Sequence, residues 1–234
     1  MVMELLVEIY RNAARTRIRG IHAPFRSILA VWCLMAVTIA ACTTASDAPP
    51  AGTVVADLKY PAVGSRWMAR RTDTINGSSI ESEVRLVQTT YNGAAAFAFE
   101  TAGTSTIVNP TNFNVMMRTS GNQVSTSKPD SGFFSWPLWV GKSWSPSFEH
   151  ENKNPNAYFR DVSPLYSVKA YEDVTVPAGT FKAFRISVSP GRNFRNDGVS
   201  WYAPEVGLVV KSVFHEDSFR GNGTTTTELL TRPQ

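Results

Sequence analysis

Few side chains in this sequence have the types and spacing that catalysis or metal binding requires. After residue 41, histidine occurs only in Glu149-His150-Glu151 and in His215-Glu216-Asp217. Neighbouring residues of a strand point to opposite faces, so we expect solvated strand ends here rather than an acid–base pair. The spacings H-E-x-x-H and C-x-x-C are absent, and Ser200 lies in a run that departs from G-x-S-x-G at its last position. The sequence therefore predicts no catalytic residue, no metal and no cofactor.

Cys42 is the side chain whose surroundings indicate a specific chemistry. It follows Ile39-Ala40-Ala41 at the end of an apolar run, and five arginines precede that run. This order resembles the lipobox of bacterial lipoproteins. The resemblance implies cleavage before Cys42, a diacylglycerol thioether on its sulfur and an acylated new N-terminus, which together anchor a protein stably. An ordinary secretory signal cut near Ala41, or a short buried helix, is the alternative.

The signal divides the chain into three parts. The apolar stretch from Ile28 to Ala41 is 14 residues long, against the roughly 20 that a transmembrane helix needs, which favours a removable signal. We therefore expect a signal peptide over 1–41, a lipidated cysteine with a flexible linker over 42–56, and a β domain over 57–234. Thr43 after the cysteine, in place of Asp, favours an outer-membrane protein that faces the periplasm.

Removal of the signal changes the charge of the protein. The full chain has 23 basic and 19 acidic residues, but residues 1–41 contain five arginines and two glutamates. The remainder has 18 basic and 17 acidic residues, a net charge of +1. A nearly neutral domain lacks the clustered basic face that nucleic-acid binding needs. Cys33 is removed and Cys42 is lipidated, so no internal disulfide is expected.

The rest of the chain is predicted to be mainly β. Turn signals recur every 8 to 12 residues, such as Asn76-Gly77, which favours a tight primed turn. The segments between them predict strands over 67–74, 80–90, 95–100, 113–119, 166–176, 180–188, 199–202, 208–215 and 224–231. No stretch after residue 57 sustains a helical apolar period. We expect one domain of antiparallel strands that form a strongly curved sheet or an open half barrel.

Two short segments repeat. The segments Pro61-Ala62-Val63-Gly64-Ser65-Arg66-Trp67 and Pro137-Leu138-Trp139-Val140-Gly141-Lys142-Ser143-Trp144 share Val-Gly-x-x-Trp behind a proline. The glycine can adopt positive φ and the tryptophan can cover a core, so each segment predicts a turn that leads into a strand. A pair of aromatic ligand platforms is the functional alternative.

Two further motifs carry a second resemblance. Val174-Thr175-Val176-Pro177-Ala178-Gly179-Thr180-Phe181 predicts a hairpin, and Trp201-Tyr202-Ala203-Pro204-Glu205-Val206-Gly207-Leu208-Val209 predicts another strand–turn–strand unit. With the Val-Gly-x-x-Trp turns, they resemble bacterial envelope proteins of unknown function over most of residues 60–215. The resemblance implies a curved antiparallel sheet like that of the lipoprotein-localisation proteins LolA and LolB. It implies no catalytic residues.

A dense group of aromatic residues is the remaining candidate site. Its members, which either pack in the core or line a groove for a ligand, are Phe133, Phe134, Trp136, Trp139 and Trp144. The sequence therefore predicts a non-enzymatic, lipid-anchored envelope protein that binds a hydrophobic ligand or an envelope component. A structural or assembly factor for an envelope complex is the alternative, and an envelope hydrolase is a third hypothesis.

Overall fold

The computed structural model describes residues 48–153, 157–218 and 221–234. In these ranges all the regular secondary structure is β-strand, and there is no helix. The strands are β1 Val55–Ala56, β2 Arg66–Asp73, β3 Ser78–Tyr91, β4 Ala94–Thr101, β5 Thr104–Val108, β6 Val115–Ser120, β7 Gln123–Lys128, β8 Leu138–Trp139, β9 Ser143–Trp144, β10 Phe148–Lys153, β11 Ala157–Val176, β12 Gly179–Arg192, β13 Asp197–Ala203, β14 Leu208–Ser218 and β15 Gly221–Leu229.

Twelve of these strands form a closed antiparallel barrel. The order around the wall is β10-β7-β6-β5-β4-β3-β2-β15-β14-β13-β12-β11, and β10 also pairs with β11. Strand β10 thus has hydrogen-bonded neighbours on both sides, with His150 opposite Ser127 of β7 and Phe159 of β11. The predicted strongly curved sheet or open half barrel is therefore wrong, because β10 joins the two free edges that an open sheet would have.

The three short strands lie at one end of the barrel. Strand β9 pairs with β11 through Trp144 and Tyr166, and β1 pairs with β8 through Val55 and Trp139. Strand β1 falls within the segment predicted as a flexible linker, so chain order begins before residue 57. The predicted domain boundary itself stays a prediction.

The two ends of the barrel differ. We call one end of the barrel the plugged end. Strand β2 begins and β15 ends there, near Arg66 and Leu229, and the segment 129–147, which contains β8 and β9, folds across it. The opposite end, at which β2 ends and β5 begins, near Asp73 and Thr104, is the mouth. Both β1 and Gln234 lie at the plugged end, where Gln234 and Arg66 exchange backbone hydrogen bonds at 3.0 Å.

Alternate side chains along each strand point inward and fill the interior of the barrel. In β2, Trp67 and Ala69 are buried in the interior, whereas Arg66 is exposed. Towards the plugged end the interior is apolar. Towards the mouth it contains buried polar side chains, which include Asp73, Thr106, Arg118, Ser125, Ser127, His150, Asn152, Ser200, Ser212, Thr225 and Thr227.

The two Val-Gly-x-x-Trp segments form the same turn, as predicted. Gly64 has φ of 94° and Gly141 has φ of 98°. The Gly64 amide donates to the Leu86 carbonyl at 2.7 Å, and the Leu86 amide donates back to Ser65 at 3.0 Å. In the second copy, Gly141 and Lys142 make the same two bonds with Val168, at 2.9 and 2.8 Å. Each turn therefore docks on a neighbouring strand in the same way.

A tight primed turn occurs at Asn92-Gly93, where both residues have positive φ, 51° and 81°. At Asn76-Gly77 the connection between β2 and β3 is four residues long, and of the two only Gly77 has positive φ. The Asn76 side chain instead accepts a bond from the Ser78 amide at 2.8 Å. The primed turn predicted at Asn76-Gly77 is therefore wrong, because the side chain of Asn76 caps a longer loop.

Candidate functional site

The predicted aromatic cluster closes the plugged end. Phe133 is buried and meets the ring of Tyr166 edge-on, with centroids 5.4 Å apart. Phe134 stacks on Trp136 at 4.8 Å, and both rings contact Tyr202. These rings fill the end of the barrel between β11 and β13, so they act as a lid on the core.

The polar atoms of this aromatic plug are bonded within it. The Trp136 indole donates to the Asn112 carbonyl at 2.8 Å, and the Trp144 indole donates to the Gly132 carbonyl at 3.0 Å. The Lys142 ammonium lies 4.5 Å from the ring centroid of Trp139, which is itself buried. Packing thus accounts for all five aromatics, Phe133, Phe134, Trp136, Trp139 and Trp144, and their contact with a ligand stays a prediction.

A cavity of about 80 Å³ lies inside the barrel near the mouth. Four of its lining residues are apolar, namely Ala69, Ile80, Val84 and Phe99. The other six are Arg71 and the hydroxyl-bearing Ser82, Thr101, Thr104, Thr106 and Thr227. The cavity opens beside Ile80, which is 58% exposed. Sequence reasoning missed it, because its residues come from five strands and no local motif contains them.

A row of buried hydroxyl groups extends from this cavity into the wall. Ser200, Ser212 and Thr227 lie opposite one another on β13, β14 and β15, and each is at most 2% exposed. Their hydroxyl oxygens have no hydrogen-bond partner in the structure. A buried polar group without a partner costs stability, and such a group is commonly satisfied by bound water or a ligand. The row therefore continues the polar lining of the cavity.

His150 is buried in the interior wall and not at a solvated strand end. Its Nδ1 lies 3.2 Å from the Ser127 hydroxyl, and its Nε2 lies 3.0 Å from Oδ1 of Asn152. Burial lowers the pKa of His150 to about 4, although the bond to Asn152 opposes this shift. At neutral pH the ring is therefore uncharged, donating from Nε2 and accepting at Nδ1.

His215 forms the one histidine–carboxylate pair among the described side chains. Its Nδ1 lies 2.8 Å from Oδ2 of Asp197, on the outer face of the mouth. The pair borders a shallow groove, but both side chains are more than half exposed. The hydroxyl of Thr224, opposite His215 on β15, lies 3.4 Å from that of Thr74. Asp197 orients the His215 imidazole, but no nucleophilic side chain among the described residues is hydrogen-bonded to that imidazole. The pair therefore does not form a hydrolytic triad in the described part of the chain.

Two further observations concern metals and membranes. Across residues 48–153, 157–218 and 221–234, no three metal-ligating side chains come together. In the same ranges there is no helix with the length and apolar character that spanning a membrane requires. Cys42 and the lipobox lie outside the described residues, so lipidation stays a prediction.

Among the known proteins compared with this chain, only solved structures match it. No protein-family model and no curated protein sequence matches it. The hypothetical lipoprotein YmcC of Escherichia coli is 13% identical with a TM-score of 0.45, over 73% of this chain and 85% of that one. A predicted lipoprotein of Parabacteroides distasonis and a predicted exported protein of Bacteroides fragilis with a YmcC-like fold are each 15% identical, with TM-scores of 0.33 and 0.34 over 76% of this chain and 99% of theirs. None of these three matches bears on the predicted likeness to LolA and LolB.

Proposed function

We propose that this protein is a bacterial envelope lipoprotein, anchored through acylated Cys42, whose barrel binds a small polar ligand at its mouth. The anchor is supported by the apolar run and the lipobox residues that precede Cys42. The observation that carries the binding function is the cavity at the mouth together with the adjoining buried hydroxyls of Ser200 and Ser212. A cavity that leads into unsatisfied polar groups favours a bound partner over empty space.

The lining of the cavity supports a polar ligand. Hydroxyl groups both donate and accept hydrogen bonds, whereas Arg71 only donates, so the site suits a group rich in oxygen. Val84 and Phe99 add apolar surface to the lining. A cavity of about 80 Å³ is large enough to hold ordered water or a ligand of a few non-hydrogen atoms. The cavity thus suits a small molecule or the polar end of a larger one.

Native mass spectrometry of the full chain extracted from membranes tests this function. We expect a bound mass on the wild type that is lost in Ala69→Leu, because the added atoms fill the cavity that Ala69 lines. Ala94→Leu is the matched control, since Ala94 is exposed on the next-but-one strand. A wild-type chain that retains only water, or a bound mass that Ala69→Leu leaves in place, contradicts the proposal.

The outer face of the barrel favours a second candidate, an assembly factor that holds an apolar protein surface. Ala96, Ala98 and Ile107 form an outward-facing cluster, separate from the core, against which Met117 and Tyr91 pack. A photo-crosslinker at Thr89, opposite Ala96, should then capture one dominant envelope protein, and Met117→Asp should abolish that product. Equal capture by wild type and Met117→Asp would argue against this function.

A further inference from the structure

Exposed apolar side chains gather at the plugged end. Of the eight large hydrophobic residues that are exposed in the described ranges, five lie there, and they are 39–52% exposed. These five are Val54, Val55, Tyr60, Val63 and Val140. Ile80 and Tyr158 lie at the mouth, and Leu165 lies on the wall. The distribution therefore distinguishes one end of the barrel from the rest of its surface.

The five residues are held in place by the fold. Val55 pairs with Trp139, which places Val54 beside Val140 at the edge of β1 and β8. The ring of Tyr60 stacks on Phe113, with centroids 5.0 Å apart. Val63 lies in the turn that the Gly64 amide fixes to β3. The apolar side chains thus project from ordered backbone at the plugged end.

The chain leads from this end towards the predicted anchor. Val54 is 12 residues from Cys42 in the sequence. A segment of that length spans at most about 40 Å when fully extended. The anchor therefore keeps the plugged end closer to the bilayer than the mouth can be on average.

We infer that the plugged end of the barrel rests on the lipid bilayer to which Cys42 is attached, with its exposed valines and Tyr60 in the interface. The inference rests on the proposed lipid anchor. Tethering by a short linker gives an effective concentration in the millimolar range, so a weak contact suffices to seat the domain. Tyrosine suits this position because its ring has an apolar body and a polar tip.

The charges at this end indicate an apolar contact and not an electrostatic one. Arg66 pairs with Glu83 at 3.3 Å, and Arg232 pairs with Glu205 at 3.0 Å. Lys59 follows Asp57 two residues earlier in the chain. The charges of these groups balance, and Lys142, which also lies at this end, donates from its ammonium to the Pro137 carbonyl at 2.9 Å. We therefore expect the seating to persist at high salt. The mouth, with its cavity, then faces away from the membrane.

Quenching of tryptophan fluorescence by brominated acyl chains measures the seating. Trp136, Trp139 and Trp144 all lie at the plugged end, within reach of a bilayer that contacts it. The full chain is purified from membranes and reconstituted into phosphatidylcholine vesicles. We expect quenching of the wild type at low salt and in 0.5 M NaCl. Val54→Asp with Val140→Asp should reduce the quenched fraction by about half or more, because burial of the two apolar side chains is lost.

The control places the same charges elsewhere. Tyr158→Asp with Leu165→Asp alters the mouth and the wall, so quenching should equal that of the wild type. Unquenched wild type, or equal quenching in the Val54→Asp/Val140→Asp chain, overturns the inference. Co-sedimentation with the vesicles and the mass of the N-terminal peptide report on the anchor separately. An acylated chain that sediments without quenching refutes only the seating, whereas a chain without acyl mass refutes the anchor.

Discussion

Acid should destabilise this protein through His150, and substitution of His150 by glutamine should remove that effect. The imidazole is 2% exposed and lies on β10, the strand that closes the barrel. Its neighbours Ser127 and Asn152 satisfy the neutral ring. Protonation would place a charge in the interior wall, which is why burial lowers the pKa of His150 to about 4.

The magnitude follows from proton linkage. An unfolded chain binds a proton at His150 near pH 6.5, whereas the folded chain binds it only near pH 4. Between these values the unfolded state holds more protons, so the free energy of unfolding falls as the pH falls. One pKa unit corresponds to about 1.4 kcal/mol, so the loss is about 2 kcal/mol at pH 5.0 and approaches about 3 kcal/mol below pH 4.

Urea unfolding at pH 7.5 and pH 5.0 measures this loss. We expect His150→Gln to lose about 2 kcal/mol less than the wild type between the two pH values. His215→Gln, which removes an exposed ring, should retain the wild-type loss. An NMR titration of the His150 ring gives the same answer if the glutamine variant folds poorly. A wild type and a His150→Gln chain with equal pH dependence would refute the burial of His150 and thus its place in the closing strand.

Three further substitutions test the packing. Leu138→Ala, at a fully buried site in the plug, should lower the free energy of unfolding in urea by about 2–5 kcal/mol. A loss no larger than that of a surface substitution would contradict the burial of Leu138. Gly198→Ala places a Cβ 2.3 Å from Cδ1 of Phe214 and should lower the free energy of unfolding by about 1–3 kcal/mol. The double variant with Phe214→Leu should recover part of this loss. If the effects of the two substitutions simply add, the clash with Phe214 is not the cause. Ala69→Val fills part of the cavity and should raise the free energy of unfolding by about 1 kcal/mol, unless a ligand already fills the space, in which case the gain disappears.

Most of the strands that sequence reasoning found have apolar inward faces. Trp67 and Ala69 of β2, or Phe184 and Ile186 of β12, alternate with less buried residues and give a clear period of two. Strand β15 has the polar Thr225 and Thr227 on its inward face and was found from its run of β-branched threonines. Sequence reasoning missed the short strands β1, β8 and β9, the barrel strands β5, β7 and β10, and the first half of β11. In β10 the inward residues after Phe148 are His150 and Asn152, flanked by glutamates that are uncommon in strands.

Sequence reasoning missed these barrel strands and the cavity for the same physical reason. Near the mouth the interior of the barrel is polar, so the strands that build it lack the apolar alternation by which strands are recognised. Ser125 and Ser127 of β7 face His150 and Asn152 of β10 in the interior, and cross-strand bonds replace apolar contacts there. Local sequence cannot reveal that these polar residues share an enclosed space. The aromatic plug, in contrast, was recognisable because its residues are adjacent in the chain.

The repeated turn marks the start of each of two halves of the barrel. After the turn at Gly64 the chain forms six strands, β2 to β7, and after the turn at Gly141 it forms β9 with β10 followed by β11 to β15. Strands β9 and β10 both pair with β11, as β2 pairs with β3, so they act as one strand interrupted near Pro146. Each half then begins with an edge that pairs with the last strand of the other half, β2 with β15 and β10 with β7. One such half alone would be an open half barrel, and two of them in sequence leave no free edge.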